Sequence, residues 1–188
     1  MNPKLDRRKK YTRMVLKDSL ISLLSTKQIA AITVKEICEQ ADINRSTFYT
    51  HYKDQFDLLR QIEEEIIADM NTYLSQHNFS EIEKSLQTTE RLLEYIVSKS
   101  DICNVLLNEN GDTSFERRVM EVARSFLITT WMDCQENDAA VSEYISTFII
   151  SGSIHVIKHW LANNMDKTPQ QIAQIINSIA INGIDQNS

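Results

Sequence analysis

Three glycines and two prolines are all the chain-turning residues that this sequence of 188 supplies. Average proteins carry roughly four times that share. A β-sandwich or barrel needs turn residues about every 8–12 positions, and this chain cannot furnish them. The same scarcity argues against a Gly-rich phosphate loop or a dinucleotide-binding fold. The class that remains is all-α. The length is enough for a substantial core, in one domain or two small ones.

Three cysteines, Cys38, Cys103 and Cys134, are odd in number and scattered. They form neither a disulfide framework nor a paired zinc motif, and read as reduced thiols. The longest apolar stretches, such as Phe148-Ile149-Ile150, are soon broken by polar residues. None approaches the roughly 18–20 residues of a membrane span. The basic run Arg7-Arg8-Lys9-Lys10 imitates the start of a signal peptide, but Lys17 and Asp18 interrupt the apolar run behind it. A cytoplasmic protein with no membrane partner is expected.

The net charge of −6 conceals an asymmetry. Residues 1–60 carry 12 Lys or Arg against 7 Asp or Glu, a net of +5, which leaves −11 on residues 61–188. A basic segment joined to an acidic one can mark a nucleic-acid-binding part coupled to a part with another task.

Helix punctuation is legible along most of the chain. Thr33-Val34-Lys35-Glu36 is a capping box, followed by a stripe of Val34, Ile37, Cys38 and Ala41 at helical spacing. Asp42 and Ile43 form a short turn, and Asn44 caps a second short helix. Asp54 caps the next, with Asp57 in its first turn. Ser80-Glu81-Ile82-Glu83 is another capping box, and Thr168-Pro169-Gln170-Gln171 combines a cap, a first-turn proline and a capping-box Gln. Gly183 stands where a helix stop is expected. The resulting map has about nine helices: 5–25, 34–41, 45–51, 55–76, two within 81–108, 114–136, 139–164 and 169–182. Met14, Val15, Leu20, Ile21 and Leu24 are expected to face inward from the first. The segment Asn108 to Asp112 reads as a linker.

Two short helices joined by a tight turn behind a longer helix make a helix-turn-helix pattern. The second short helix would present Arg45, Ser46, Thr47, Tyr49 and His51, while Phe48 and Tyr52 turn to the core. These residue types suit DNA: Arg bonds guanine O6 and N7 with two hydrogen bonds, and hydroxyls reach phosphates.

The stretch from Ile32 to Tyr52, with Leu58-Leu59 after it, resembles the DNA-binding signature of the TetR family of transcriptional regulators. The match covers about residues 10–60 in fixed register. The resemblance implies an all-α homodimer with a three-helix helix-turn-helix domain, 1–60, and a helical bundle domain for dimerisation and effector binding, 61–188. It implies double-stranded operator DNA contacts by Thr33 and Lys35 at the start of the second helix. It adds Asn44, Arg45, Ser46, Thr47, Tyr49 and His51 from the third, and Lys53 and Gln55 beyond it. Arg45 is the base reader among them. Three positions depart from the pattern. Asp42 replaces the usual turn glycine, Asn44 replaces a common Ser cap, and Gln55 stands where a phosphate-contacting Lys is usual.

The segment Gly152 to Leu161 with Thr168 to Ala173 looks like one C-terminal subtype of that family, in which the last two helices form an intersubunit four-helix bundle. The expected interface is Ile154, Ile157, Trp160, Leu161, Ile172, Ile175, Ile176 and Ile179. A plain intramolecular core is the alternative for that stripe. His155 and His159 lack a third ligand for a metal. Glu63-Glu64-Glu65 reads as solvated, and Ser151-Gly152-Ser153 is no nucleophile elbow. Phe126, Trp131, Met132, Phe148 and Trp160 are cavity candidates or simply core. No catalytic set and no cofactor are expected. The functional expectation is a TetR-like regulator, a repressor released by a small-molecule effector. The alternative is a TetR-fold co-regulator acting through protein contacts alone.

Overall fold

The computed structural model describes residues 3–75, 82–107, 113–131 and 139–185. Nine α-helices and one 3-10 turn lie among them, and no strand. They are α1 Pro3–Leu24, the turn Ile29–Ala31, α2 Val34–Ala41, α3 Arg45–Tyr49, α4 Gln55–Ser75, α5 Ile82–Ser98, α6 Ser100–Leu107, α7 Thr113–Trp131, α8 Ala139–Ala162 and α9 Pro169–Asp185. The all-α class is as expected. The capping box at Ser80, the loop 108–112, Met132 and Cys134 fall outside the described residues.

Two helices end elsewhere than expected. α3 stops at Tyr49, not at position 51: the Thr50 hydroxyl donates to the Thr47 carbonyl at 2.6 Å, and the Thr50 and His51 amides take carbonyls three residues back, at 3.2 and 2.9 Å. α9 runs on to Asp185, through Gly183. A glycine stops a helix when it turns left-handed, and no described glycine has a positive φ.

The chain divides into two compact units. The first joins Met1–Ile66 to Val105–Phe115. Its core takes Leu16, Leu20 and Leu24 from α1, Ile37 and Cys38 from α2, Phe48 from α3, and Leu58, Leu59 and Ile62 from α4. α2 packs on both α1 and α3. The inner face of α1 is Thr12, Leu16, Ser19, Leu20 and Leu24, and Met14 is exposed, contrary to expectation. Met14 stands two residues from both Thr12 and Leu16, about 200° round the helix from each. Arg13 and Lys17 of α1 pair with Glu65 of α4. Within the acidic triplet Glu64 and Glu65 are exposed, but Glu63 is buried, correcting the solvated reading. It falls on the buried stripe Leu59, Ile62, Ile66, Met70 at helical spacing.

The second unit holds Ile67–Asn104 and Glu116–Ser188. α9 packs on α5 and α8. Trp160 is buried, and its indole N–H donates to the Lys167 carbonyl at 2.9 Å. Past the end of α8, Asn164 and Met165 are left-handed, and the Met165 N–H reaches back to the Trp160 carbonyl. The next helix starts on the expected box, Thr168 N–H to Gln171 Oε1 at 3.0 Å and Gln171 N–H to Thr168 Oγ1 at 3.2 Å.

The Thr33 box is also formed, with Glu36 N–H donating to Thr33 Oγ1 at 3.3 Å and Thr33 N–H to Glu36 Oε2 at 2.9 Å. Hydrogen bonds from Lys27 and then from Thr33 hold the Glu36 carboxyl down at about 2, from an ordinary 4.5. A folded value below the unfolded one stabilises above the ordinary carboxylate range and is lost as pH falls through the folded value. Thr33→Ala removes the N-cap and should cost about 1 kcal/mol at neutral pH. In urea melts the gap to wild type should narrow between pH 4.5 and about 2.

Candidate nucleic-acid interface

Three residues carry the chain from α2 to α3. Asp42 takes φ 52°, ψ 44°, and the Ile43 N–H closes on the Cys38 carbonyl at 2.9 Å. Short Asp side chains tolerate this left-handed geometry, so the turn survives the absence of glycine. Asn44 then caps α3, its Oδ1 accepting the Ser46 N–H and the Ser46 hydroxyl, each at 2.9 Å. With both helix ends satisfied so tightly, the direction of α3 is fixed by the turn.

Packing settles which way α3 faces. Phe48 is fully buried, with Tyr49 edge-on at 5.6 Å and Tyr52 at the same separation on another side. Tyr52 is buried too, and burial pushes its phenol up. Arg45, Ser46 and Tyr49 are thereby exposed, and Thr47 and His51 are partly covered. Arg45 has no ion pair with any described residue, so its guanidinium is available to a partner.

The flanking positions are less uniform. Thr33 is exposed, but its amide and hydroxyl both donate to Glu36 in the free protein. Glu36 is held in turn by Lys27 at 2.6 Å, a link nine residues away that no helical spacing signals. Lys35 is exposed and 3.7 Å from Glu39, a surface pair of little energetic weight. Lys53 is exposed, and its amide donates to Asp57 Oδ2 at 3.0 Å while Asp57 N–H donates to Asp54 Oδ1 at 2.8 Å. Gln55 opens α4, partly covered. His51 is pushed below its ordinary value by burial first, then by the charges of Arg13 and Lys9. Those two cations, which the sequence reading did not assign, therefore stand near the end of α3. Their signal was the basic run Arg7 to Lys10 with Arg13 after it, Lys9 and Arg13 being four positions apart and so on one helix face.

The residues expected at the interface between copies split into two groups. Ile154, Trp160, Leu161 and Ile172 are buried inside the chain's own second unit, and Ile157 and Ile176 are partly covered. Ile175 and Ile179 are 43% and 52% exposed, beside Tyr144 at 80% and Phe148 at 72% on α8. Phe148 is thus a surface side chain and not core, and Trp160 is core. The side chains of Phe126 and Trp131 lie outside the described residues. A Cβ on Gly152 would meet nothing within 4 Å. His155 donates to the Ser151 carbonyl at 2.8 Å, and His159 accepts from Asn163 at 3.0 Å. Among the described residues no three His, Cys, Asp or Glu could hold a metal ion, and no helix is long and apolar enough to cross a membrane.

Residues 83–182 match the family model of a transcriptional regulator C-terminal region of the TetR type. A helix-turn-helix transcriptional regulator of Bacillus subtilis, YxbF, is 28% identical over 150 residues, covering 78% of this chain and 39% of that protein. The chain thus spans about two fifths of the length of that curated relative. A TetR transcriptional regulator from Streptococcus agalactiae superposes with a TM-score of 0.72 at 20% identity, over 95% of this chain and 99% of that one. The FadR regulator from Bacillus subtilis, in complex with stearoyl-CoA, gives 0.65 at 12% identity, over 90% and 98%. These relatives are regulators of transcription, not enzymes.

Adjacent residues of α3 should respond in opposite ways to truncation. Phe48→Ala empties a fully buried site and should cost about 3–5 kcal/mol. Tyr49→Ala, at 59% exposure, should stay within about 0.5 kcal/mol. Urea denaturation of the two variants beside wild type checks this.

Proposed function

Since the chain belongs to the TetR family of transcriptional regulators, we propose that it is an operator-binding repressor that works as a homodimer and is released by a small-molecule effector. In this reading residues 1–60 bind DNA, and residues 61–188 dimerise and take the effector. The observation that carries it is the exposed row Arg45, Ser46, Tyr49 on a helix anchored by buried Phe48. A helix entering the major groove reads bases with its first residues, and Arg45 is the side chain there able to bond guanine bidentately. Ser46 adds a hydroxyl beside it. Thr47, Tyr49, His51 and Lys53 supply hydroxyls, a ring N–H and a cation for the backbone. Thr33, Lys35, Asn44 and Gln55 complete the contact set. For Thr33 to offer its amide to a phosphate, the Glu36 carboxylate must swing aside.

A pair of half-sites read by two copies makes the operator a palindrome. The exposed Ile175, Ile179, Tyr144 and Phe148 support the dimer, being large apolar side chains left uncovered by their own chain. Gly152 fits the same role. Its smallness is required by no contact among the described residues, so it suits close approach by a helix from outside. An effector bound to one dimer geometry shifts the population toward it, and spacing that no longer fits adjacent grooves releases DNA. Cytoplasmic residence follows from the task.

Binding of a duplex from the region upstream of the protein's own gene tests the reading. Affinity should fall steeply with salt, each neutralised phosphate adding about −0.9 to the log–log slope. Arg45→Ala should cost about 1–3 kcal/mol and relax preference at one base pair per half-site. Tyr49→Phe should weaken all sequences by a similar, smaller amount. If Arg45→Ala leaves the preference intact, Arg45 does not read bases. If wild type shows no operator preference at all, a co-regulator acting through protein contacts is the better account.

The dimer is tested separately. Ile175→Asp or Ile179→Asp should disturb the single chain little, because the two side chains are already 43% and 52% exposed. In a dimer each change buries an unpaired charge at a cost of several kcal/mol. Sedimentation should show monomers with native helicity, and mutants that stay dimeric place the interface elsewhere.

A further inference from the structure

We propose that the basic N-terminal turns of α1 form a second DNA-contacting surface, gripping backbone phosphates beside the contact made by α3. The inference rests on the operator-binding reading and adds a contact it does not contain. Residues 7 to 11 of α1 are all exposed, Tyr11 at 58%, and the first buried position after them is Thr12. Five consecutive helical residues point in every direction around the axis. A turn exposed on all of them is covered by none of the described residues.

The charges in that turn are placed against helix stability. Arg7, Arg8, Lys9 and Lys10 sit in the second and third turns of a helix beginning at Pro3. Like charges three apart on a helix, as Arg7 and Lys10 are, repel. None of the four makes an ion pair with a described residue. Arg13 and Lys17, one and two turns on, are by contrast committed to Glu65. An unneutralised cationic turn that weakens its own helix is accounted for by an anionic partner outside the chain.

Position selects that partner. Lys9 and Arg13 act electrostatically on His51, so this face of α1 lies on the side where α3 ends. A duplex seated on Arg45 and Tyr49 runs its phosphates past that side. The contact is with phosphate and carries no base information, so it adds affinity and salt dependence without sequence preference.

The test compares wild type with the variant Arg7→Gln, Arg8→Gln, Lys9→Gln, Lys10→Gln, using fluorescence anisotropy on the upstream duplex and on a scrambled duplex of equal length. The variant should bind both more weakly, about tenfold or more at 0.1 M salt, with a log–log slope shallower by about 2–3. Its preference between the two duplexes should match wild type. The double variant Lys9→Arg, Lys10→Arg, which keeps the charge, should keep the wild-type slope. In the free protein the neutralised variant should melt no lower than wild type, because it removes like charges that repel one another along the helix. A lower melting temperature with an unchanged salt slope makes the run structural and overturns the proposal. Wild type that binds the operator with the same slope as the variant overturns the α1 contact alone. Wild type that binds neither duplex overturns the operator reading together with it.

Discussion

The left-handed turn at Asp42 is the constraint on which the candidate interface depends. Within three residues it must close α2, reverse the chain and open α3, with a cap at both helix ends. Asp42 does the first by adopting φ 52° and Asn44 does the last by accepting two hydrogen bonds from Ser46. A looser connection would let α3 rotate. This one delivers Phe48 to the core and Arg45 and Tyr49 to solvent on the same five-residue helix. A helix so short has little stability of its own. Its orientation is therefore a product of two caps and one buried aromatic ring.

Electrostatics reinforce that geometry at one remove. Lys27, in the connection before α2, reaches Glu36 and holds the carboxylate over the Thr33 cap. Asp57 does the equivalent for α4, its carboxyl kept below the ordinary range chiefly by the Lys53 amide. Both N-termini are thus loaded with internal carboxylates, while the cations Arg7 to Lys10 of α1 and Arg45 of α3 are left to solvent. The distribution separates groups that build the first unit from groups free to meet a polyanion.

In the second unit the same sequence pattern had two destinations. The stripe Ile172, Ile175, Ile176, Ile179 reads as one apolar face at helical spacing. α9 packs against both α5 and α8, and that contact takes Ile172 and part of Ile176 while leaving Ile175 and Ile179 outside. Periodicity shows that a face is apolar; it carries no information on whether the covering surface belongs to the same chain. Trp160 illustrates the other side of the ambiguity. It was grouped with an interface between copies, but its N–H bonds the Lys167 carbonyl across the α8–α9 corner, a partner supplied by its own chain.

What the sequence determined by itself is local. The scarcity of glycine and proline left helices as the one class available. The caps at Thr33, Asn44, Asp54 and Thr168 were legible because their hydrogen bonds close within two or three residues. The same locality made the α2–turn–α3 unit and its outward row readable. Tertiary structure decided the rest. Met14 turned outward and Leu16 inward because the packing of α2 on α1 chose the buried face. Glu63 became buried because α4 had to present Leu59, Ile62 and Ile66. The link from Lys27 to Glu36 and the approach of Lys9 and Arg13 to His51 join residues separated by 9 to 42 positions. Such contacts form only when helices pack, because a side chain's long-range neighbours are set by the fold and not by its place in the chain.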